Sequence, residues 1–334
     1  MKQIRKSLVC TALLMTAALT GCAQDKPTPG PNAPLAQQTD GSGMSSAMAT
    51  QPGTVIADEA CGDHLTWTLD DNGLLTISGS GAMNDYDYYD KVPRPWFDKR
   101  SKIISISISE GVTGIGKYAF HDCEALTEIT IPSSVTSIGE EAFRSCHALT
   151  SLTIPEGVTS IGKGAFHDCK ALTEITIPSS VTSIGEEAFR SCRALTSLTI
   201  PEGVTSIGKG AFLYCTSLTS IAIPESITII EDSTFSKCEA LTDVTIPGSV
   251  TSIGTFAFLD CSSLTSVTIP SGVTSIGKEA FENCKALTSV TILSSVISIG
   301  AHAFSDCSSL VIHAPAGSYA ETYAKEKNIP FQVQ

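Results

Sequence analysis

Twelve cysteines and six histidines are the residues best equipped for chemistry in this 334-residue sequence. Thiolates ligate metals, exchange disulfides and attack electrophiles. Nine of the cysteines recur every 23 residues, from Cys123 to Cys307. No Cys-x-x-Cys pair accompanies them, so convergent metal-ligand spacing is missing. Side chains that hold one place in every unit point the same way, which suits a disulfide poorly. Buried free thiols are therefore expected, because Cys is small and readily buried. Bridging and metal binding are the lesser alternatives, and Cys61, outside the series, is the one to test for pairing. His121, His147 and His167 flank the repeated cysteines, and His147 has Arg193 as its counterpart one duplication later. That exchange reads as a solvated surface position, not a ligand or base. The run Asn84-Asp85-Tyr86-Asp87-Tyr88-Tyr89-Asp90 could serve a sugar or calcium. It lacks the spacing and glycine of a calcium loop, so a solvated loop is the simpler reading. No nucleophile–base–orienter set or phosphate loop stands out. The expectation is a chain with no catalytic residues, no metal and no cofactor.

The elements that carry these residues follow from the repeat. Phe recurs at 23-residue intervals from Phe120 to Phe304, Cys follows each by three, and Leu follows each Cys by three. Nine units cover residues 103–309. In the unit Leu126 to Ala148, Ile129 and Ile131 have strand spacing. Pro132 ends that strand for want of an N–H, and Val135 with Ile138 suggests a second one. Ala142, Phe143 and Cys146 have helical spacing. One unit cannot bury these side chains alone, but stacked units close a continuous core. At about 4.8 Å per strand, nine coils make a body roughly 43 Å long.

The string Ile-Pro-x-x-Val-x-x-Ile-Gly-x-x-Ala-Phe-x-x-Cys, Ile131 to Cys146, and its copies resemble the BspA-like, or Treponema pallidum-type, leucine-rich repeats of bacterial surface proteins. The resemblance spans about two thirds of the chain. It departs at Glu231 for the turn Gly, Thr234 for the Ala, and Leu293 and Ser109 for the Pro. It implies an α/β solenoid: a leucine-rich repeat of about nine coils with short strands and short helical turns. It also implies a concave strand face that binds partners, namely proteins or glycans on host or bacterial surfaces. The candidate binding positions on that face are Glu128, Thr130, Ser151, Thr153, Glu174, Thr176, Ser197, Thr199, Asp243, Thr245, Ser266 and Thr268. They read as a polar, weakly acidic strip without the aromatic anchors that dominate many interfaces. Thr is also simply a good strand former.

The ends of such a stack need covers. In residues 59–102, Leu65, Trp67 and Leu69 alternate before Asp71-Asn72-Gly73, a hairpin turn signal, and Leu75 and Ile77 follow. Val92, Trp96 and Phe97 add bulk to this N-terminal cap. In residues 310–334, Ser318 with Glu321 matches a capping box. Tyr319, Tyr323 and Ala324 then share a helical face that would close the C-terminal end.

Residues 1–22 have the charge and apolar run of a secretory signal. Leu19-Thr20-Gly21-Cys22 resembles a bacterial lipobox, implying acylation at Cys22 and a membrane contact through the lipid. Residues 23–58, rich in Pro, Gly, Gln and Ser, read as a disordered tether of roughly 30–36 Å. The expected address is an exported, membrane-anchored lipoprotein at the outer membrane or cell surface. Lys+Arg number 21 against 34 Asp+Glu, which argues against nucleic acid as a partner.

Residues 121–166 and 167–212 differ only at Glu124/Lys170 and His147/Arg193. An extended surface tolerates such duplication, whereas a unique catalytic centre would not. The family resemblance implies adhesion to host matrix proteins or to other bacteria, which is the leading expectation. A ligand-free structural or antigenic surface element is the alternative, and an enzyme with its site in the N-terminal cap is a remote third.

Overall fold

The computed structural model describes residues 60–87 and 94–334. The signal with Cys22, the tether, Tyr88 to Asp90 and Val92 lie outside the described residues. Each 23-residue unit forms one coil with two short strands, Glu128–Thr130 and Ser137–Ile138 in the second coil. Copies in adjacent coils pair in parallel and in register: Ile175 lies beside Leu152, and Ile184 beside Ile161. The first-strand ladder falls into four sheets and the second-strand ladder into two. Ile129, Val135 and Ile138 point inward while Glu128, Thr130 and Ser137 stay exposed, the alternation a pleated strand imposes.

The Ala-Phe-x-x-Cys segment departs from the helical turn that its spacing predicts. It forms consecutive tight turns, and the only α-helix among the described residues lies at the C-terminal end. Every coil places two residues in the left-handed region, Glu141 (φ 50°) and Ser145 (φ 59°) in the second coil, and glycine takes the first of these positions at 164 and 210. Alternate amides then divide their work. Cys146 N–H closes a turn onto Phe143 O (3.2 Å), while Phe143 N–H reaches Ala165 O (2.8 Å) and Ser145 N–H reaches His167 O (2.8 Å) in the next coil. A helix would turn those donors inward on its own carbonyls. A spacing of three serves both arrangements, which is why periodicity could not separate them.

The core is a column. The nine repeated phenylalanines stack face to face, with centroids 5.0–5.5 Å apart and planes within 25°. The cap residues extend it. Trp96 stacks on Phe120 at 5.7 Å, its indole N–H donating to Ala119 O (2.9 Å), and Tyr323 meets Phe304 edge-on at 6.1 Å. At the front, β1 (Leu65–Leu69) and β2 (Leu74–Gly79) form the expected antiparallel hairpin. The Asp70 carboxylate accepts from the amides of Asn72 and Leu74 (2.9 Å each), and Gly73 supplies φ +83° for the turn. β2 then pairs in parallel with Ser105–Ile108, so the hairpin feeds directly into the repeat ladder. At the back, α1 (Tyr319–Glu326) starts on Ser318, whose side chain accepts from Glu321 N–H. It buries Ala320, Tyr323 and Ala324 over the last coil.

Two outcomes follow. Truncating the middle of the column with Phe189→Ala should cost about 3–5 kcal/mol of unfolding free energy, read by thermal or denaturant melting. Ser145→Val should cost about 1–2 kcal/mol by forcing a β-branched residue into the left-handed region, whereas Ser145→Gly should be nearly neutral.

Candidate binding face

The strand face is built by alternation. In each first strand the middle residue enters the core and its two neighbours face solvent. All twelve sequence-predicted positions are exposed there. Three strands bring Glu128, Thr130, Ser151, Thr153, Glu174 and Thr176 together over one open cleft of about 460 Å³, floored by Ile129, Ile131 and Leu152. Asp243, Thr245, Ser266 and Thr268 line a second of about 280 Å³. Ser197 and Thr199 occupy the strand beside Ser220–Ala222, outside both clefts.

The threonine row just before each strand has a different task. Thr127 Oγ1 donates to Ile104 O (3.1 Å), Thr173 Oγ1 to Thr150 O (3.1 Å), and Thr219 Oγ1 to Thr196 O (3.1 Å). These hydroxyls tie each coil to the previous one and leave the strand positions to face solvent. Sequence reading missed an acidic row two or three residues beyond the first strand: Glu110, Glu156, Glu202 and Glu225 are all exposed. Its signal was present as the Pro-Glu pairs at 155–156, 201–202 and 224–225. The Glu110 carboxylate accepts from Ser133 N–H (3.2 Å), Ser133 Oγ (3.1 Å) and Ser134 N–H (3.3 Å), which lowers its pKa.

The cysteines are structural. The ten within the described residues are free and buried, Cys61 among them. From the second coil onward each thiol donates to the Phe carbonyl of the preceding coil, Cys146 to Phe120 O (3.3 Å) and Cys169 to Phe143 O (3.2 Å) for example. Burial pushes the thiols of Cys123 and Cys215 up to about 12 and that of Cys61 to about 11, so they are held protonated and unreactive at neutral pH. Among the described residues no group of three or more His, Cys, Asp or Glu could hold a metal ion.

The histidine reading needs one correction. His121 is buried, not a surface residue. It belongs to the first coil, where the N-terminal cap covers the turn: buried Arg94 donates to Tyr118 O (2.9 Å) and His121 O (2.7 Å). The Tyr118 ring lies 5.9 Å from the imidazole, and Asp122 stands 3.3 Å from Nδ1. The Asn84–Asp87 part of the acidic-aromatic run is also tied into the cap. Tyr86 is buried edge-on against Trp96, its hydroxyl 3.4 Å from Cys61 O, and Asp85 accepts from Lys117 N–H (2.9 Å).

Residues 90–215 and 182–311 match the BspA type leucine rich repeat region, a model of six copies. The chain belongs to that family. Several solved structures resemble it. A leucine rich cell surface protein from Faecalibacterium prausnitzii is 28% identical over 81% of this chain and 97% of its own, with a TM-score of 0.39. The Treponema pallidum leucine-rich repeat protein is 24% identical over 69% and 91%, with a TM-score of 0.48. The pneumococcal vaccine antigen PcpA is 16% identical over 85% and 100%, with a TM-score of 0.43. Comparison with curated proteins finds no match. In this BspA-type chain the strand face is polar and its repeated thiols lie in the core.

Burial also gives the family fold here a pH dependence. It lowers the His121 pKa to about 4, and Arg94 and Arg144 nearby add to the effect, while Asp122 opposes it. Histidine in the unfolded chain titrates near ~6.5, so between these values the unfolded state binds more protons. Stability should be complete above about pH 6.5 and fall as pH drops toward 4. Melting temperatures at pH 7 and 4.5 should differ more for the parent chain than for His121→Phe.

Proposed function

We propose that the protein is an exported bacterial surface protein that binds other macromolecules through its strand face. The carrying observation is the exposed, in-register array from Glu128 to Thr268, repeated coil after coil on a rigid stack. Membership in the BspA-type family supports the same reading. A partner on this face meets the same groups in several coils, so weak contacts add along the rod. The partners on this reading are proteins or glycans on host or bacterial surfaces, and the activity is adhesion.

Cys22 anchors the protein through acyl chains, and residues 23–58 hold the solenoid off the membrane. The domain division follows: signal 1–22, tether 23–58, N-terminal cap 59–102, solenoid 103–309, C-terminal cap 310–334. No enzymatic step is part of the proposal. The near-identical duplication of 121–166 in 167–212 favours a second reading, a surface element selected for length or antigenicity alone.

Two measurements decide. The chain lacking residues 1–22 should bind saturably to at least one matrix protein, cell type or glycan in an unbiased array, and deleting 121–166 should weaken that binding. Uniform failure to bind leaves the ligand-free reading. Metabolic labelling with palmitate should mark the parent chain, while Cys22→Ala should release an unlabelled protein into the medium; equal membrane retention of both would refute the anchor.

A further inference from the structure

Charge is segregated around each coil. Between Ile103 and Ile299 every Lys and Arg lies in the turn segments, between the second strand of one coil and the first strand of the next. There the cations meet acids: Lys163 with Glu186 (3.0 Å), Lys209 with Asp232 (2.9 Å) and Lys237 with Asp260 (2.9 Å). The strand side has no such balance. Glu128, Glu174 and Asp243 stand on the strands, and Glu110, Glu156, Glu202 and Glu225 follow them. Among the described residues none of these carboxylates stands in an ion pair with a Lys or Arg. The strands and the turns that follow them thus carry charge of one sign, while the cation-bearing turn segments are close to balanced. Such a surface holds an attractive potential for cations from Glu110 to Asp243, over the first seven coils.

The spacing adds direction. The duplicated units repeat both acids, Glu128 with Glu174 and Glu156 with Glu202, two coils apart, while Asp243 lies three coils beyond Glu174, so Glu128 and Glu174 set the interval. Two parallel-strand steps are about 9.6 Å. Three residues of polyproline II backbone advance about 9.3 Å, and every third side chain points the same way. A β-strand repeats its side chains about every 6.8 Å and would fall out of step. Both clefts on the face are open and floored by apolar side chains, Ile129, Ile131 and Leu152 in one and Val244, Ile246 and Val267 in the other. They leave room for backbone between the charges.

We propose that the strand face takes an extended, cation-bearing polypeptide segment laid along the solenoid axis, with two Lys or Arg three residues apart set against Glu128 and Glu174 and further cations drawn toward Asp243. This deepens the binding reading of the strand face above and rests on it.

The test uses the full chain carrying Cys22→Ala, titrated with a fluorescent peptide of four Lys-Pro-Pro repeats and with the matching Glu-Pro-Pro peptide. The cationic peptide should bind at low ionic strength and dissociate as salt is raised past physiological levels. The acidic peptide should not bind. The triple variant Glu128→Gln/Glu174→Gln/Asp243→Asn should weaken binding about tenfold. A control triple with the same change in net charge, Glu239→Gln/Asp306→Asn/Glu326→Gln, should weaken it less than about twofold, and matched melting curves for all three proteins exclude unfolding as the cause. Equal weakening by the two triples would reduce the effect to net charge and overturn the proposal, as would no binding of the cationic peptide. If the array screen meanwhile finds a neutral or acidic partner, the binding function stands and only this inference falls.

Discussion

Face-to-face contact between phenylalanine rings in successive coils is the constraint on which the rest of the structure depends. A single coil has one ring, two short strands and no way to cover either. The ring of Phe143 is buried only because Phe120 and Phe166 lie on its two faces. The carbonyl of the same residue shows the same dependence. Phe143 O accepts from its own coil's Cys146 amide (3.2 Å) and from the thiol of Cys169 in the next coil (3.2 Å). A buried carbonyl thus has both lone pairs used, which is why a small, weakly donating residue recurs three places after each ring. Registry between coils is enforced by shape, backbone and side-chain donors together, so slipping by one residue would break all of them at once.

Much of this was legible in the residues themselves. A spacing of 23 held by Phe, Cys and Leu can only mean neighbour-on-neighbour stacking, and the inward positions were readable from alternation. Both caps were readable too, the front from its hairpin turn and the back from Ser318 and Glu321. Cys burial followed from a geometric argument about parallel side chains. Two things were not legible. Helical spacing and consecutive turns share a period of three, and only the φ values at Glu141 and Ser145 separate them. His121 looked like His147 in sequence, yet it sits in the coil covered by Arg94, a contact between residues 27 apart that no local pattern announces.

The candidate face was legible as a set of positions but not as a charge pattern. Strand alternation pointed to Glu128 and Thr130 and their copies. The acids that follow the strands, such as Glu156 and Glu202, were hidden because turn residues after a proline read as linkers. They follow the first strands, whereas every cation of the coils lies between a second strand and the next first strand. The arrangement separates two tasks. The turn side pairs its charges and satisfies the stack, while the strand positions remain exposed to solvent. Because each coil contacts only its neighbours, duplication of 46 residues lengthens both sides in step without disturbing either.

The stacked-column account is tested most directly by hydrogen exchange, coil by coil, in the parent chain and in Phe212→Ala. The account predicts that lost protection is largest in the coil of Phe212, extends into the coils of Phe189 and Phe235, and fades with distance toward the caps. Loss confined to the altered coil, with Phe189 and Phe235 coils unchanged, would mean that the units stand alone and would contradict it.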